Sequence, residues 1–137
     1  MKIKYTKELL WTMSLFSRMT GSRLKDCFEM EGVLHFVVEP GDAGKAIGKG
    51  GIVIKNIQEK LKKRVRVVEF SSDIATFVQN LIHPLKVDGV SHEGSVVVLK
   101  SEDRNTKGLL IGRNAKNLNM LRDVVQRYFP IEVVKVE

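Results

Sequence analysis

The sequence predicts an α+β fold made of two tandem copies of one unit, each a small three-stranded sheet packed by helices. Two observations predict it. The hydrophobic pattern runs helix, strand, strand, short helix, helix, strand, and then through the same order again. A shift of 64 residues also lays the second half on the first, with Gly44 on Gly108, Ile47 on Ile111 and Gly48 on Gly112.

Leu9, Leu10, Met13, Phe16 and Met19 recur at helical spacing, and Gly21 supplies the stop. Asp26–Met30 and Val33–Glu39 form two strand-like runs about a Glu31-Gly32 turn, and Pro40-Gly41-Asp42 ends the second. Residues 43–50 are small and glycine-rich. The helical period returns from Gly51 to Lys62 through Ile54, Ile57 and Leu61, and Val65 to Phe70 reads as a strand. Ser71-Ser72-Asp73 is a cap for a helix whose apolar face is Ile74, Phe77, Val78, Leu81 and Ile82. Strands are then expected at Leu85–Val90 and Ser95–Lys100 around His92-Glu93-Gly94. Helices follow at Arg104–Ile111 and from Lys116 to Tyr128, and a strand at Ile131–Val136 closes the chain. The predicted domains are 1–70, with its leading helix, and 71–137. Trp11, Phe16 and Phe77 fall at apolar-periodic positions and are expected in the core.

The net charge of +7 favours a polyanionic partner, nucleic acid or an anionic surface. Residues 1–70 hold 14 Lys+Arg against 8 Asp+Glu, and residues 71–137 hold 9 against 8, so the first half carries most of the excess. With one cysteine, Cys27, no intramolecular disulfide can form. No uncharged apolar run of membrane-spanning length occurs, and Met1–Thr20 is broken by polar residues in a way a signal peptide is not. A cytoplasmic monomer with no membrane partner is expected. His35, His83, His92 and Cys27 show no metal-ligand spacing, so neither metal nor cofactor is expected, and His35 within a strand pattern reads as structural.

The repeat carries a motif. In the first half it is Ile47-Gly48-Lys49-Gly50-Gly51, then Ile54 and Ile57. In the second it is Ile111-Gly112-Arg113-Asn114-Ala115, then Leu118 and Leu121. This resembles the KH domain, whose marker is an Ile-Gly-X-X-Gly loop between two helices, and the element order is similar to the type II arrangement. The run from Ile111 to Asn119 is similar to the second KH loop of the transcription termination/antitermination factor NusA. The chain has no room for that bacterial factor's polymerase-binding and OB-fold domains, and so resembles the short archaeal NusA-like proteins made of the KH pair alone. The resemblance implies action in transcription termination or antitermination, with single-stranded RNA as partner and RNA polymerase as a second candidate.

A KH loop clamps about four nucleotides of backbone. Glycines let the main chain approach a phosphate, and the helix that follows offers N–H groups with partial positive charge. The candidate RNA-binding residues are Lys45, Ile47, Gly48, Lys49, Gly50, Gly51, Ile54 and Lys55, and then Ile111, Gly112, Arg113, Asn114, Ala115, Lys116 and Asn117. Lysines and Arg113 supply charge, and the isoleucines are aliphatic walls for bases. Ala115 departs from the motif where a glycine is expected, so the second loop is expected to bind more weakly. The plain alternative, a tight helix–helix turn, leaves Lys49 between glycines unexplained. An ATP-binding loop is excluded as well: Ala43 and Gly50 stand where a P-loop needs Gly and Ser or Thr. No nucleophile–base pair is evident, and an enzyme is not expected. Two alternatives of other kinds are a ribosome-associated KH protein and a protein-interaction module bound to polymerase.

Overall fold

Residues 6–137 are described by the structure, a computed structural model, and they open on a capped helix. Residues 1–5, which the first predicted domain includes, lie outside the described residues. In helix α1 (Lys7–Thr20) the Thr6 hydroxyl accepts from the Leu9 N–H at 3.0 Å. Gly21 ends it in the left-handed conformation, donating to the Ser17 carbonyl at 2.9 Å. Its inward stripe is Leu9, Thr12, Met13 and Phe16. Trp11, expected in the core, is 55% exposed because it lies off that stripe, and so does Leu10.

The chain divides into two compact units between Ser71 and Ser72. In the first, β1 (Leu24–Met30), β2 (Val33–Val38) and β3 (Arg64–Glu69) form a sheet in that order, antiparallel and then parallel. Met30 pairs with Val33, which leaves Glu31 and Gly32 as a two-residue loop at φ 57° and 74°. Both signs match a type I′ hairpin. The parallel pairing of β2 with β3 requires a crossover, supplied by α2 (Ala43–Ile47) and α3 (Ile52–Leu61). The core joins Phe16, Cys27, Leu34, Phe36, Val38, Ala46, Ile57 and Val65, with Phe16 stacked on Phe36 at 4.0 Å between ring centroids. Burial pushes the Cys27 thiol up to about 12, so it behaves as a small apolar residue. His35 stacks on Phe28 at 5.1 Å, and burial lowers its pKa to about 4, which keeps it neutral. Asp42 precedes α2 without capping it. Its carboxylate instead takes the backbone N–H (2.7 Å) and Nε (3.1 Å) of Arg23, tying the crossover to β1.

The second unit repeats this topology. Helix α4 (Ile74–Ile82) begins where Asp73 accepts from the Thr76 N–H at 3.1 Å, and it buries five apolar residues. Strands β4 (Gly89–Glu93), β5 (Val96–Lys100) and β6 (Val133–Val136) form a sheet in that order, antiparallel and then parallel, with α5 (Arg104–Ile111) and α6 (Lys116–Gln126) in the crossover. Three boundaries differ from expectation. Residues 85–88 are not strand: the Leu85 N–H bonds the Ile82 carbonyl to continue the turn after α4, and the Asp88 carboxylate accepts from the Glu102 N–H at 2.8 Å. The hairpin therefore turns at Gly94-Ser95, with His92 and Glu93 inside β4. Helix α6 stops at Gln126 because Arg127 and Tyr128 bond back three residues, to Val124 and Val125, and tighten the last turn. The tightened turn sets Tyr128 edge-on to Phe77 at 5.5 Å. The closing strand starts at Val133, not Ile131, since Glu132 and Val133 both donate to the Ser95 carbonyl.

Candidate functional site

Each unit joins its crossover helices through a three-residue 3-10 turn, Lys49–Gly51 in the first and Arg113–Ala115 in the second. The two turns have one backbone. Gly48 lies at φ 78°, ψ 168° and Gly112 at φ 74°, ψ 175°, and their N–H groups bond the Gly44 and Gly108 carbonyls, each at 2.9 Å. Gly50 (φ 63°, ψ 17°) matches Asn114 (56°, 32°), and Gly51 (78°, 17°) matches Ala115 (59°, 24°).

The glycines divide into two kinds. A Cβ on Gly48 would sit 2.5 Å from Val53 Cγ2 and 2.9 Å from the Val53 backbone nitrogen. On Gly112 it would sit 2.7 Å from the Asn117 side chain. Their φ/ψ region is also essentially closed to other residues, so the close approach of the following helix imposes glycine there. Around Gly50 nothing lies within 4 Å, and near Gly51 only Ile54 Cγ2 does, at 3.8 Å. Asn114 and Ala115 hold the same left-handed conformations with side chains. What Gly50 and Gly51 add is therefore bare main chain facing solvent.

Thr6, Asp73 and Asp103 cap α1, α4 and α5 with side-chain oxygens, whereas α2, α3 and α6 have no side-chain cap. Of these, α3 and α6 begin at the turns, at Gly51 and Ala115, with no acidic residue in the first turn. Carbonyls of the turns take the first N–H groups, Ile52 bonding to Lys49 and Lys116 to Arg113, but no carboxylate in either first turn offsets the positive end of the helix dipole. Exposed cations surround both helix starts: Lys45, Lys49 and Lys55 at the first turn, Arg113 and Lys116 at the second.

Among the apolar candidates, Ile47 is 39% exposed beside the turn, Ile111 is half-buried, and Ile54 is half-buried against the core. Ile52 and Leu109, both 58% exposed, flank the turns as well and were not among the sequence candidates. Their signal was available, since neither belongs to the inward stripe of its helix. Asn117 Nδ2 donates to the Leu109 carbonyl at 2.9 Å, which fastens the end of α5 to the start of α6. The first unit has Val53 at that position and no such bond. Among the described residues no group of three His, Cys, Asp or Glu is arranged to hold a metal ion, and no helix is long and apolar enough to cross a membrane.

Two copies of one α+β unit, each presenting an uncapped helix behind a cationic turn, define a tandem-loop protein. No protein-family model matches the chain. Among curated proteins it is similar to one from Methanococcus vannielii at 32% identity, covering 99% of this chain and 80% of the relative. A second, from Methanocaldococcus jannaschii, is 30% identical over 98% and 75%. A third, from Halococcus morrhuae, is 30% identical over 99% of both. Each is named probable transcription termination protein NusA. The chain is also similar to a solved structure described as the crystal structure of APE1850, with a TM-score of 0.70 and 36% identity, over 97% of this chain and 100% of that one. The chain belongs to the archaeal NusA family.

Proposed function

We propose that the chain is an RNA-binding protein of transcription termination or antitermination, built from type II KH domains over residues 1–70 and 71–137. Each domain grips single-stranded RNA backbone on its turn. The observation that carries this reading is the pair of matching turns: α3 and α6 each begin, without a side-chain cap, behind a turn of the same backbone conformation that carries exposed cations. A phosphate at either helix start meets the positive end of the helix dipole with no carboxylate in the first turn to repel it. Lys45, Lys49 and Lys55, with Arg113 and Lys116, hold the adjoining phosphates. Ile47, Ile52 and Leu109 offer aliphatic surface to the bases. Gly50 and Gly51 let a phosphate reach the main chain of the first turn, while the Ala115 methyl narrows the second, so the first turn holds RNA more tightly.

The test is a titration of a labelled single-stranded RNA of about a dozen nucleotides at several salt concentrations. Five phosphate contacts, from Lys45, Lys49, Lys55, Arg113 and Lys116, give a slope of about −3.5 in log K against log salt. The double variant Lys49→Asp, Gly50→Asp should stay folded by circular dichroism, since Asn114 shows that a side chain fits this backbone, and should lose most of its affinity, keeping only the weaker contribution of the second turn. Equal binding by the variant would reduce the loop to a turn. Copurification with RNA polymerase rather than with ribosomes tests the transcription half of the reading.

A further inference from the structure

Helix α1 leaves an apolar face in solvent. Among the described residues, the large apolar side chains exposed away from the two turns are Leu10, Trp11 and Met19 on this helix and Val133 on β6. A single exposed apolar residue is ordinary, but three on one helix, the chain's one tryptophan among them, form a patch. Helical spacing orders it. The inward stripe of Leu9, Thr12, Met13 and Phe16 occupies one side. On the other, two rows run in steps of four: Lys7, Trp11, Leu15 and Met19 in one, Leu10, Ser14 and Arg18 in the next. Leu15 is half-buried, and the rest of both rows is exposed.

The face is therefore apolar along its middle and carries a cation near each end, over roughly 16 Å from Lys7 to Arg18. Glu8, the one acid on α1, borders the patch, and the Lys63 ammonium lies close enough to feel and offset its charge. Tryptophan and arginine are the side chains that most often anchor protein interfaces. Two parallel rows over three turns of helix form a groove into which a second amphipathic helix packs. The end charges choose among occupants. A second copy pairing through this face sets Lys7 against Arg18 if the helices run antiparallel, and like residue against like if they run parallel, so cations meet either way. RNA is drawn to the cations but leaves Leu10, Leu15 and Met19 without apolar partners.

We infer that the outer face of α1 is a docking surface for an acidic amphipathic helix of another protein, whose apolar stripe covers Leu10, Trp11, Leu15 and Met19 and whose carboxylates meet Lys7 and Arg18. The inference goes beyond RNA binding and stands whether or not the turns hold RNA.

Because Trp11 is the only tryptophan, its emission reports on this face alone. The probe is a lactam-bridged helical peptide of about fourteen residues, with leucines along one stripe and glutamates flanking it. Two control peptides replace the glutamates by lysines or the leucines by serines. Titrated into the full chain, the acidic peptide should shift Trp11 emission to the blue and bind about tenfold more tightly than either control. Trp11→Ser, followed by the anisotropy of labelled peptide, should weaken binding about tenfold or more. The double variant Lys7→Glu, Arg18→Glu should reverse the preference and favour the lysine peptide. All three side chains are exposed, so both variants should keep the wild-type circular dichroism. Equal binding of the acidic and lysine peptides, no blue shift, or undiminished binding by folded Trp11→Ser overturns the assignment. Self-association of the wild type in sedimentation, abolished by Trp11→Ser, would give the face to a second copy. Loss of RNA affinity in folded Trp11→Ser would give it to nucleic acid, and either result overturns the acidic helix.

Discussion

Gly48→Ala separates what the fold requires from what a ligand requires. The new methyl would lie 2.5 Å from Val53 Cγ2 and 2.9 Å from the Val53 nitrogen. Rotating Val53 relieves the first contact, but the second is to backbone and relaxes only if α3 moves. The φ 78°, ψ 168° conformation adds strain of its own. Backbone strain and overpacking each cost about 1–3 kcal/mol, so a destabilisation near 3 kcal/mol is expected. For a unit of this size that is a drop in Tm of more than about 10 °C. Gly50→Asn is the control. It meets nothing within 4 Å and takes the conformation that Asn114 already holds, so its cost should stay below about 1 kcal/mol. Urea unfolding of both variants, followed by far-UV circular dichroism, measures the difference. Gly48→Ala unfolding at the same midpoint as Gly50→Asn would refute the argument that close approach, and not ligand access, keeps glycine at position 48.

Two further outcomes follow from single interactions. His35 has a folded pKa lowered to about 4 by burial, against about 6.5 unfolded. Below pH 6.5 the unfolded chain takes up a proton that the folded chain refuses, so stability is full above that value and falls as pH drops toward 4, by about 3 kcal/mol over the window. His35→Phe keeps a ring on Phe28 and removes the titration, so its urea midpoint should fall less steeply between pH 6.5 and 4; identical slopes would count against the buried neutral imidazole. Asn117→Asp replaces the donor to the Leu109 carbonyl with an acceptor and should destabilise the second unit by about 1–2 kcal/mol at pH 7. Protonating the new carboxyl restores a donor, so the deficit should shrink near pH 3.5, and a deficit that stays constant with pH would show that this bond is not what Asn117 contributes.

Short-range chemistry made much of this fold legible. Glu31-Gly32 between two apolar runs implied a hairpin, and the backbone turns there with two positive φ angles. Asp73 before an apolar period implied a cap, and its carboxylate accepts the Thr76 N–H. The spacing around Gly48 and Gly112 located both turns. What escaped the reading depends on contacts distant in sequence. Leu85–Val90 alternates like a strand, yet Asp88 is held by Glu102, so pairing starts only at Gly89. Trp11 sits in a periodic run whose inward stripe is set by which residues meet Phe36, and it falls outside that stripe.

The repeat itself bears on how the two turns divide their roles. Had glycine at all three motif positions been a demand of the backbone, the second turn could not hold its trace with Asn114 and Ala115. It does hold it, within 20° at every matched angle of those two residues. Position 48 and its counterpart 112 are therefore fold determinants, and positions 50 and 51 are free to vary with what the turn binds. The first turn couples bare backbone to the more basic half of the chain, a combination suited to any phosphate. The second gives up main-chain access for the side chains of Asn114 and Ala115, beside Arg113. Backbone contacts position RNA and base-edge contacts discriminate it. On the RNA-binding reading proposed above, affinity belongs chiefly to the first unit.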